Sequence, residues 1–180
     1  AKSLSRKGFE TTLISGPTNL KVNKDINLIE VETADEMFKA TQSNLPADVA
    51  IFSAAVSDFK IKEQKKEKIK KEDYINLNLE KNIDILNYVS NHNSLRPKLV
   101  IGFAAETNNI KENSKKKLIE KNCDWIVAND VSNKSIGFNS DLNEVSIIYK
   151  ENKKAEKISK RKKSEIAEII SKKILENFAS

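Results

Sequence analysis

The fold of this 180-residue chain is decided at residues 99–109, which read Leu-Val-Ile-Gly-Phe-Ala-Ala-Glu-Thr-Asn-Asn. An apolar run that ends in small residues and is followed by a charged segment is typical of a buried parallel strand that leads into a helix. A second junction of this kind lies at residues 47–59, Ala-Asp-Val-Ala-Ile-Phe-Ser-Ala-Ala-Val-Ser-Asp-Phe. Because the carboxyl ends of parallel strands and the following helix N-termini form a crevice for anionic ligands, the two junctions predict one shared site.

Strand and helix patterns alternate around these junctions, which predicts an α/β fold with a mainly parallel sheet and helices on both faces. A hairpin and an amphipathic closing helix are expected in the tail. The predicted strands lie at 10–15, 28–31, 49–55, 75–79, 99–105, 125–128, 144–149 and 155–158, and the predicted helices at 34–43, 84–90, 110–121 and 162–178. The inner face of the closing helix is expected to carry Ile166, Ile169, Ile170, Ile174 and Leu175. In the helix at 34–43, capped by Thr33, the apolar stripe of Met37, Phe38 and Ala40 is expected to be core.

The composition indicates one domain over residues 1–180, with 38% hydrophobic residues and a formal charge of +6. Only three of the cationic residues are arginines, and the rest are lysines. Because arginine is better suited than lysine to bidentate contacts with bases and phosphates, the charge gives little support to nucleic-acid binding. Cys123 is the only cysteine, which excludes an internal disulfide and favours the cytoplasm. No apolar stretch approaches the roughly 20 residues of a membrane span, and no leading signal segment is seen, so no membrane is expected.

Residues 60–73, Lys-Ile-Lys-Glu-Gln-Lys-Lys-Glu-Lys-Ile-Lys-Lys-Glu-Asp, have almost no apolar content and predict a mobile lysine-rich arm. The arm follows the strand end at Ala55 and Asp58, so it is placed beside the crevice. One interpretation is a lid that closes over a polyphosphate; the alternative is a plain solvated loop.

Conventional catalytic sets are missing from the sequence. His92 is the only histidine, which argues against a catalytic triad or a histidine metal site. The four glycines are scattered, so neither a GxGxxG fingerprint nor a P-loop is present. Lys117 and Lys121 lie one turn apart on the helix at 110–121, and with Lys68 on the arm they could provide three point charges for a triphosphate.

Six segments, in this order and spacing, closely resemble bacterial phosphopantothenoylcysteine synthetase. They are Leu-Ile-Ser-Gly-Pro-Thr (13–18), Ala-Ala-Val-Ser-Asp-Phe (54–59), Glu-Lys-Ile-Lys-Lys (67–71), Gly-Phe-Ala-Ala-Glu-Thr (102–107), Val-Ala-Asn-Asp-Val (127–131) and Gly-Phe-Asn-Ser-Asp (137–141). The resemblance covers nearly the whole chain. It implies a Rossmann-like three-layer domain, a homodimer, and a ligase that joins 4'-phosphopantothenate to L-cysteine with CTP and Mg²⁺ in coenzyme A synthesis. It also implies fusion to a flavin-dependent decarboxylase, in which FMN belongs to the upstream domain only.

The resemblance also implies a role for individual residues. Lys68 matches the catalytic lysine of the family, and Asn82-Ile83-Asp84-Ile85 stands where the family has Asn-Pro-Asp-Ile, so this segment should touch base or ribose. Ile83 removes the rigid φ of the proline. Asp58 should make a polar contact, Phe103 should pack against the nucleotide, and the lysines of the helix should meet the phosphates. The implied CTP-binding residues are Phe52, Ser53, Ala54, Asp58, Lys68, Ile83, Asp84, Ile85, Leu86, Phe103, Lys117 and Lys121, and no metal ligand is implied because Mg²⁺ is held mainly by the triphosphate.

The start of the chain departs from the family pattern. Residues 1–8 are typical of the end of a helix closed by glycine, and the strand, Gly-Gly-Thr and Ser-Ser-Gly segments that precede this helix in the family are not in the sequence. We therefore expect a domain truncated at its N-terminus. This leaves two alternatives to the ligase: a CTP-binding fragment without full turnover, and a basic nucleic-acid-binding module, which the 6% aromatic content disfavours.

Overall fold

The computed structural model describes residues 1–63, 77–131, 140–151 and 153–179. Its elements are α1 (Lys2–Ser5), β1 (Thr12–Ser15), β2 (Asn27–Glu30), α2 (Ala34–Ser43), β3 (Val49–Phe52), β4 (Phe59–Ile61), β5 (Leu79–Lys81), α3 (Ile85–Ser90), β6 (Leu99–Glu106), α4 (Ile110–Glu120), β7 (Trp125–Asp130), β8 (Leu142–Tyr149), β9 (Glu156–Lys162) and α5 (Lys163–Ala179).

The central sheet has five strands in the order β3-β6-β7-β8-β9. Strands β3, β6 and β7 are parallel, as predicted, because the connections from β3 to β6 and from β6 to β7 each return the chain to the same end of the sheet. Strands β8 and β9 are antiparallel, which confirms the predicted hairpin, although both strands are longer than expected.

Each face of this sheet carries its own hydrophobic core, because side chains alternate between the faces along every strand. On one face α5 packs against the strands, and the buried residues are Leu99, Ile101, Trp125, Val127, Val145, Ile147, Ile158, Ile166, Ile170 and Ile174. On the other face α4 packs against the strands, and the buried residues are Ala104, Leu118, Cys123, Ile126, Ala128 and Ile148. The predicted α/β fold with helices on both faces is confirmed.

The inner face of α5 was predicted correctly except at its end. Ile166, Ile170 and Ile174 are buried, and Ile169 packs at the margin of the same core. Leu175, in contrast, is 44% exposed, so its placement on the inner face was wrong. It follows Ile174 by one residue, and a rotation of about 100° per residue turns its side chain away from the sheet.

Two small sheets stand apart from the central one. Strands β1 and β2 form a parallel pair, and β4 and β5 form an antiparallel ribbon. Strand β4 was not predicted: it contains the first two residues of the supposed mobile arm, and Lys60 Nζ lies 2.7 Å from Asp35 Oδ2. The rest of the arm, from 64 onward, lies outside the described residues. Strand β3 ends at Phe52, three residues earlier than expected, and the strand predicted at 75–79 begins outside the described residues and is seen at Leu79–Lys81.

Helix α2 begins and ends where the sequence predicts. Thr33 and Glu36 form a capping box, in which the Glu36 backbone N–H donates to Thr33 Oγ1 at 3.2 Å and the Thr33 backbone N–H donates to Glu36 Oε2 at 3.2 Å. No residue of α2 is buried, however. The prediction that Met37, Phe38 and Ala40 belong to the core was therefore wrong, since all three are only half-buried. The Met37 side chain lines the cavity described below.

Candidate functional site

The two strand ends that predict a shared site are neighbours in the sheet. Strands β3 and β6 pair in register, with Phe52 opposite Gly102. A Cβ added at Gly102 would lie 2.8 Å from Ile126 Cδ1 and 3.0 Å from Leu86 Cδ2. Glycine at this position therefore lets Leu86, and with it the start of α3, pack directly against β6.

A cavity of about 540 Å³ lies at this end of the two strands. Its volume is within the range of about 300–1,000 Å³ that small-molecule sites occupy. Every described residue that the family resemblance assigns to CTP contributes to its lining. These residues are Phe52, Ser53, Ala54, Asp58, Ile83, Asp84, Ile85, Leu86, Phe103, Lys117 and Lys121. Lys68 lies outside the described residues.

Asp84 joins two helices at the wall of the cavity. As the N-cap of α3, its Oδ1 accepts a hydrogen bond of 2.9 Å from the Asn87 backbone N–H. Its Oδ2 lies 2.5 Å from the ammonium of Lys121, the C-cap residue of α4. Both carboxylate oxygens are thus engaged within the chain, a structural role that the sequence did not predict for this residue.

The electrostatics of this pair follow from its geometry. Burial on its own acts to raise the pKa of Asp84, but the hydrogen bonds from Lys121 and the Asn87 backbone, together with the charges of Lys121 and Lys117, outweigh it and hold that pKa below its ordinary value. The hydrogen bond to Asp84 likewise raises the pKa of Lys121, so its ammonium remains charged.

Lys117 occupies the same side of the cavity with its charge less compensated. It lies one turn before Lys121, as predicted, and within the described part of the chain it forms no ion pair. The charged groups of the described lining are three carboxylates and two ammonium groups: Glu10, Asp58, Asp84, Lys117 and Lys121. Among the described residues, Lys117 is therefore the cation of this cavity most available to an anionic ligand.

The cavity extends beyond the residues that the sequence singled out. Part of its wall comes from β1, from the first three residues of β3 and from the end of α2. A second cavity of about 660 Å³ adjoins it across Met37, Val56, Ser57 and Asn82, and is lined by the start of α2 and by the β4–β5 ribbon. Sequence patterns did not find these walls, because each joins segments far apart in the chain.

The remaining reactive side chains have structural roles. His92 Nδ1 accepts a hydrogen bond of 3.1 Å from the Leu95 backbone N–H, and its ring packs edge-on against Tyr88. Burial, with the nearby charge of Asp124, raises the pKa of Cys123 to about 11, so its thiol stays protonated and poorly nucleophilic. Over residues 1–63, 77–131, 140–151 and 153–179, no cluster of three or more His, Cys, Asp and Glu side chains could hold a metal ion. None of the helices in these ranges is both long and apolar enough to cross a membrane.

Comparisons with known proteins agree on one kind of domain. Residues 1–178 match the family model described as the DNA/pantothenate metabolism flavoprotein C-terminal domain. The chain is 39% identical over 180 residues to the coenzyme A biosynthesis bifunctional protein CoaBC of Haemophilus influenzae, a match that covers 99% of this chain and 44% of that protein. The chain thus spans less than half the length of this relative.

Two solved structures share the fold. The crystal structure of the C-terminal domain of the bifunctional protein CoaBC aligns with a TM-score of 0.73 at 32% identity, covering 96% of this chain and 78% of that one. The DNA/pantothenate metabolism flavoprotein of Streptococcus pneumoniae aligns with a TM-score of 0.76 over 98% of this chain and 85% of that one. At 22% identity, this second likeness concerns the fold alone.

Proposed function

Because the chain belongs to the family of DNA/pantothenate metabolism flavoprotein C-terminal domains, we propose that it is the CTP-dependent ligase domain that joins 4'-phosphopantothenate to L-cysteine in coenzyme A biosynthesis. One observation carries the proposal: the described residues assigned to CTP, drawn from five separate segments of the chain, line a single cavity. Unrelated surface residues would not converge in this way.

The reaction proposed has two steps. The carboxylate of 4'-phosphopantothenate attacks the α-phosphorus of CTP, so that an acyl-cytidylate forms and pyrophosphate leaves. The amine of L-cysteine then attacks the acyl carbonyl, loses a proton as the amide forms, and displaces CMP. Neither step requires a nucleophilic side chain, which agrees with the structural roles of His92 and Cys123.

The residues of the chain would act mainly through charge and position. Lys117 and Lys121 face the cavity from one side of α4 and its end, where they can contact phosphate oxygens. The backbone of residues 53 and 54 lies beyond the last register pair of β3, which is Phe52 with Gly102, and could present donors and acceptors to the cytosine edge. With both oxygens of Asp84 engaged, contacts at residues 83–86 would come mostly from the backbone.

The triphosphate requires more positive charge than the described lining contains. A bound triphosphate carries several negative charges, whereas the lining holds more carboxylates than ammonium groups. We assign the missing charge to Lys68, the proposed catalytic lysine, and to Mg²⁺ held mainly by the triphosphate oxygens, which neutralises developing charge on the phosphoryl group when bound.

The proposal extends to the setting of the domain. We place it in the cytoplasm, as a homodimer fused to or associated with a flavin-dependent decarboxylase that alone holds FMN. Binding of nucleic acid or membrane is not part of this function.

A thermal-shift panel of CTP, ATP, UTP and NADPH, each with Mg²⁺, tests the nucleotide part of the proposal. CTP is expected to raise the melting temperature most, because a larger purine base would push aside the residues that we propose contact the cytosine edge. Equal shifts with ATP and CTP would refute the selectivity. A response to NADPH alone would favour a dinucleotide reductase, and salt-dependent retention on DNA without any response to CTP would favour the nucleic-acid-binding alternative.

A further inference from the structure

Helix α4 ends in a tight backbone turn. Asn122 follows the helix with a φ of 51°, in the left-handed region. Its N–H donates to Ile119 O at 3.1 Å, and the N–H of Cys123 donates to Leu118 O at the same distance. This pattern is a Schellman motif, in which a left-handed residue closes the helix. The turn satisfies two carbonyls of the last helical turn, but the carbonyls of Lys121 and Asn122 need partners from outside α4.

Ser90, the last residue of α3, provides the partner for the first of these two carbonyls. Its side chain is fully buried, and its hydroxyl donates a hydrogen bond to Lys121 O. The other acceptor near this hydroxyl, Asn87 O, is farther away, at 3.3 Å. The Cys123 thiol also lies near Lys121 O, at 3.8 Å, but a thiol is a weak donor. The Ser90 hydroxyl is therefore the group that holds the backbone of Lys121 against α3.

Arg96 holds the ends of the same two helices together. Its Nε donates to Ser90 O at 2.8 Å, and its Nη2 donates to Asn122 O at 3.0 Å. One guanidinium thus lies at the C-terminal ends of α3 and α4, where a positive charge is favoured. Asp124 balances this charge, since both of its carboxylate oxygens lie 3.0 Å from Nη2. Asp124 Oδ2 also accepts a hydrogen bond of 2.7 Å from the Val100 N–H, so the helix ends are anchored to β6.

Helix α3 consequently contacts Lys121 at both of its own ends. At its start, the N-cap residue Asp84 pairs with the Lys121 ammonium in the wall of the cavity. At its end, Ser90 binds the Lys121 carbonyl. A lysine side chain is long and flexible, and each attachment removes part of that freedom. Holding both the backbone and the ammonium fixes the position of this positive charge in the cavity.

We propose that Ser90 is a positioning residue of the nucleotide site: through the carbonyl of Lys121, it sets the position from which the Lys121 ammonium contacts the phosphates. Ser90 does not itself line the cavity, so it would touch no substrate. The inference rests on the proposed function, because that proposal assigns Lys121 to the phosphate oxygens. Without the hydroxyl, Lys121 could still reach the phosphates, but binding would first have to order its backbone and side chain.

Calorimetric titration of Ser90→Ala with CTP and with cytidine, each with Mg²⁺, tests this role. The dissociation constant for CTP should rise by about threefold to tenfold, which is the cost of ordering one long side chain on binding. Affinity for cytidine, which has no phosphate, should stay unchanged. Equal losses for the two ligands would indicate a general distortion of the cavity, and unchanged affinity for CTP would indicate no role. Either result would overturn the proposal.

Ser171 provides a matched control. It is also a buried serine in a helix, and its hydroxyl donates to a backbone carbonyl, that of Ala167, at 2.7 Å. It lies in α5, on the opposite face of the central sheet, and is not part of the cavity lining. Ser171→Ala removes the same group, so it should lower stability comparably and leave affinity for CTP unchanged. An equal loss of CTP affinity in Ser171→Ala would show that lower stability is the cause and would overturn the proposal.

A measurement without nucleotide separates this inference from the proposed function. Burial alone acts to raise the pKa of Asp84, but hydrogen bonds from Lys121 and the Asn87 N–H, with the charges of Lys121 and Lys117, hold that pKa below its ordinary value. In an NMR titration of the Asp84 carboxyl, Ser90→Ala should move this pKa back up towards its ordinary value, because a less ordered ammonium stabilises the carboxylate less. Ser171→Ala should leave it unchanged.

The titration decides the role of Ser90 whatever the nucleotide result. An Asp84 pKa that Ser90→Ala leaves unchanged would overturn the positioning role even if CTP binds. If wild type shows no response to CTP, the proposed function fails, while a raised Asp84 pKa in Ser90→Ala would still show that Ser90 positions Lys121.

Arg96→Lys is the second variant, for use if Ser90→Ala does not fold. It keeps a positive charge beside Asp124 but loses the planar fork that spans Ser90 O and Asn122 O. The same pattern is expected: weaker binding of CTP, unchanged binding of cytidine and a raised pKa of Asp84. A folded Arg96→Lys protein with wild-type values for all three would overturn the proposal.

Discussion

Replacing Lys117 with alanine removes from the cavity its one described cation that forms no ion pair among the described residues. A hydrogen bond to a charged group contributes about 1.5–3 kcal/mol, and about 1.4 kcal/mol corresponds to a tenfold change in affinity. Because Lys117 is half-buried and partly screened by water, we expect the lower part of this range. The dissociation constant for CTP should therefore rise by about tenfold.

The adjacent Lys116 provides a matched control. It lies in the same helix with its side chain 76% exposed, 3.8 Å from Glu120, and does not line the cavity. Lys116→Ala makes the same change in helix propensity, so it should leave nucleotide affinity unchanged. Any loss specific to Lys117→Ala then reports on the cavity and not on the stability of α4.

Calorimetric titration with CTP, CDP, CMP and cytidine, each with Mg²⁺, separates the phosphate contact from the rest of the site. The loss of affinity caused by Lys117→Ala should become smaller as phosphates are removed from the ligand, and should vanish for cytidine. It should also diminish at high salt, since the interaction is between charges. An equal loss for cytidine, or an equal loss in Lys116→Ala, would refute a phosphate contact at this residue.

Substitutions at three further positions address other parts of the site. Asp84→Ala should lower the free energy of unfolding by about 1–2 kcal/mol, whereas Asp84→Asn keeps a capping oxygen and should cost less than about 1 kcal/mol in guanidinium denaturation; equal losses would contradict the cap. Because the pKa of Asp84 is lowered on folding, its contribution is present above the ordinary carboxyl pKa and is lost as the pH falls through the lowered value, so wild type and Asp84→Asn should converge in acid. Gly102→Ala should destabilise the fold by about 1–3 kcal/mol in thermal unfolding, through overpacking against its neighbours, and unchanged stability would show that they move aside freely. Lys68→Ala should slow single-turnover pyrophosphate release far more than it weakens CTP binding, and an unchanged rate would exclude the catalytic role.

The elements that the sequence predicted well depend on local patterns. The start of α2 follows from its Thr33 cap, and β6 follows from an apolar run that is buried on both faces. The adjacency of the β3 and β6 ends also follows, because parallel strands joined by helices place their carboxyl ends at one edge. These inferences need only neighbouring residues and the rules of sheet connection.

The features that the sequence did not reveal depend on distant partners. The Asp84–Lys121 pair joins residues 37 positions apart, and no pattern around either one indicates the other. Strand β4 has three residues with a lysine at its centre, and it forms only through pairing with β5. Met37 has the spacing of a core residue, yet α2 lies beside a cavity, so an apolar stripe did not distinguish a core wall from a cavity wall.

The balance of charge in the cavity connects its structure with the proposed chemistry. Attack of a carboxylate on a triphosphate brings anions together, so the barrier depends on cations placed where charge develops. In the described lining, Asp84 already engages Lys121, while Asp58 and Glu10 add negative charge. Such a site should bind cytidine without help but should hold a triphosphate poorly until further cations arrive. Lys68 and Mg²⁺ would supply that charge only when CTP is bound, which would confine strong electrostatic stabilisation to the reacting complex.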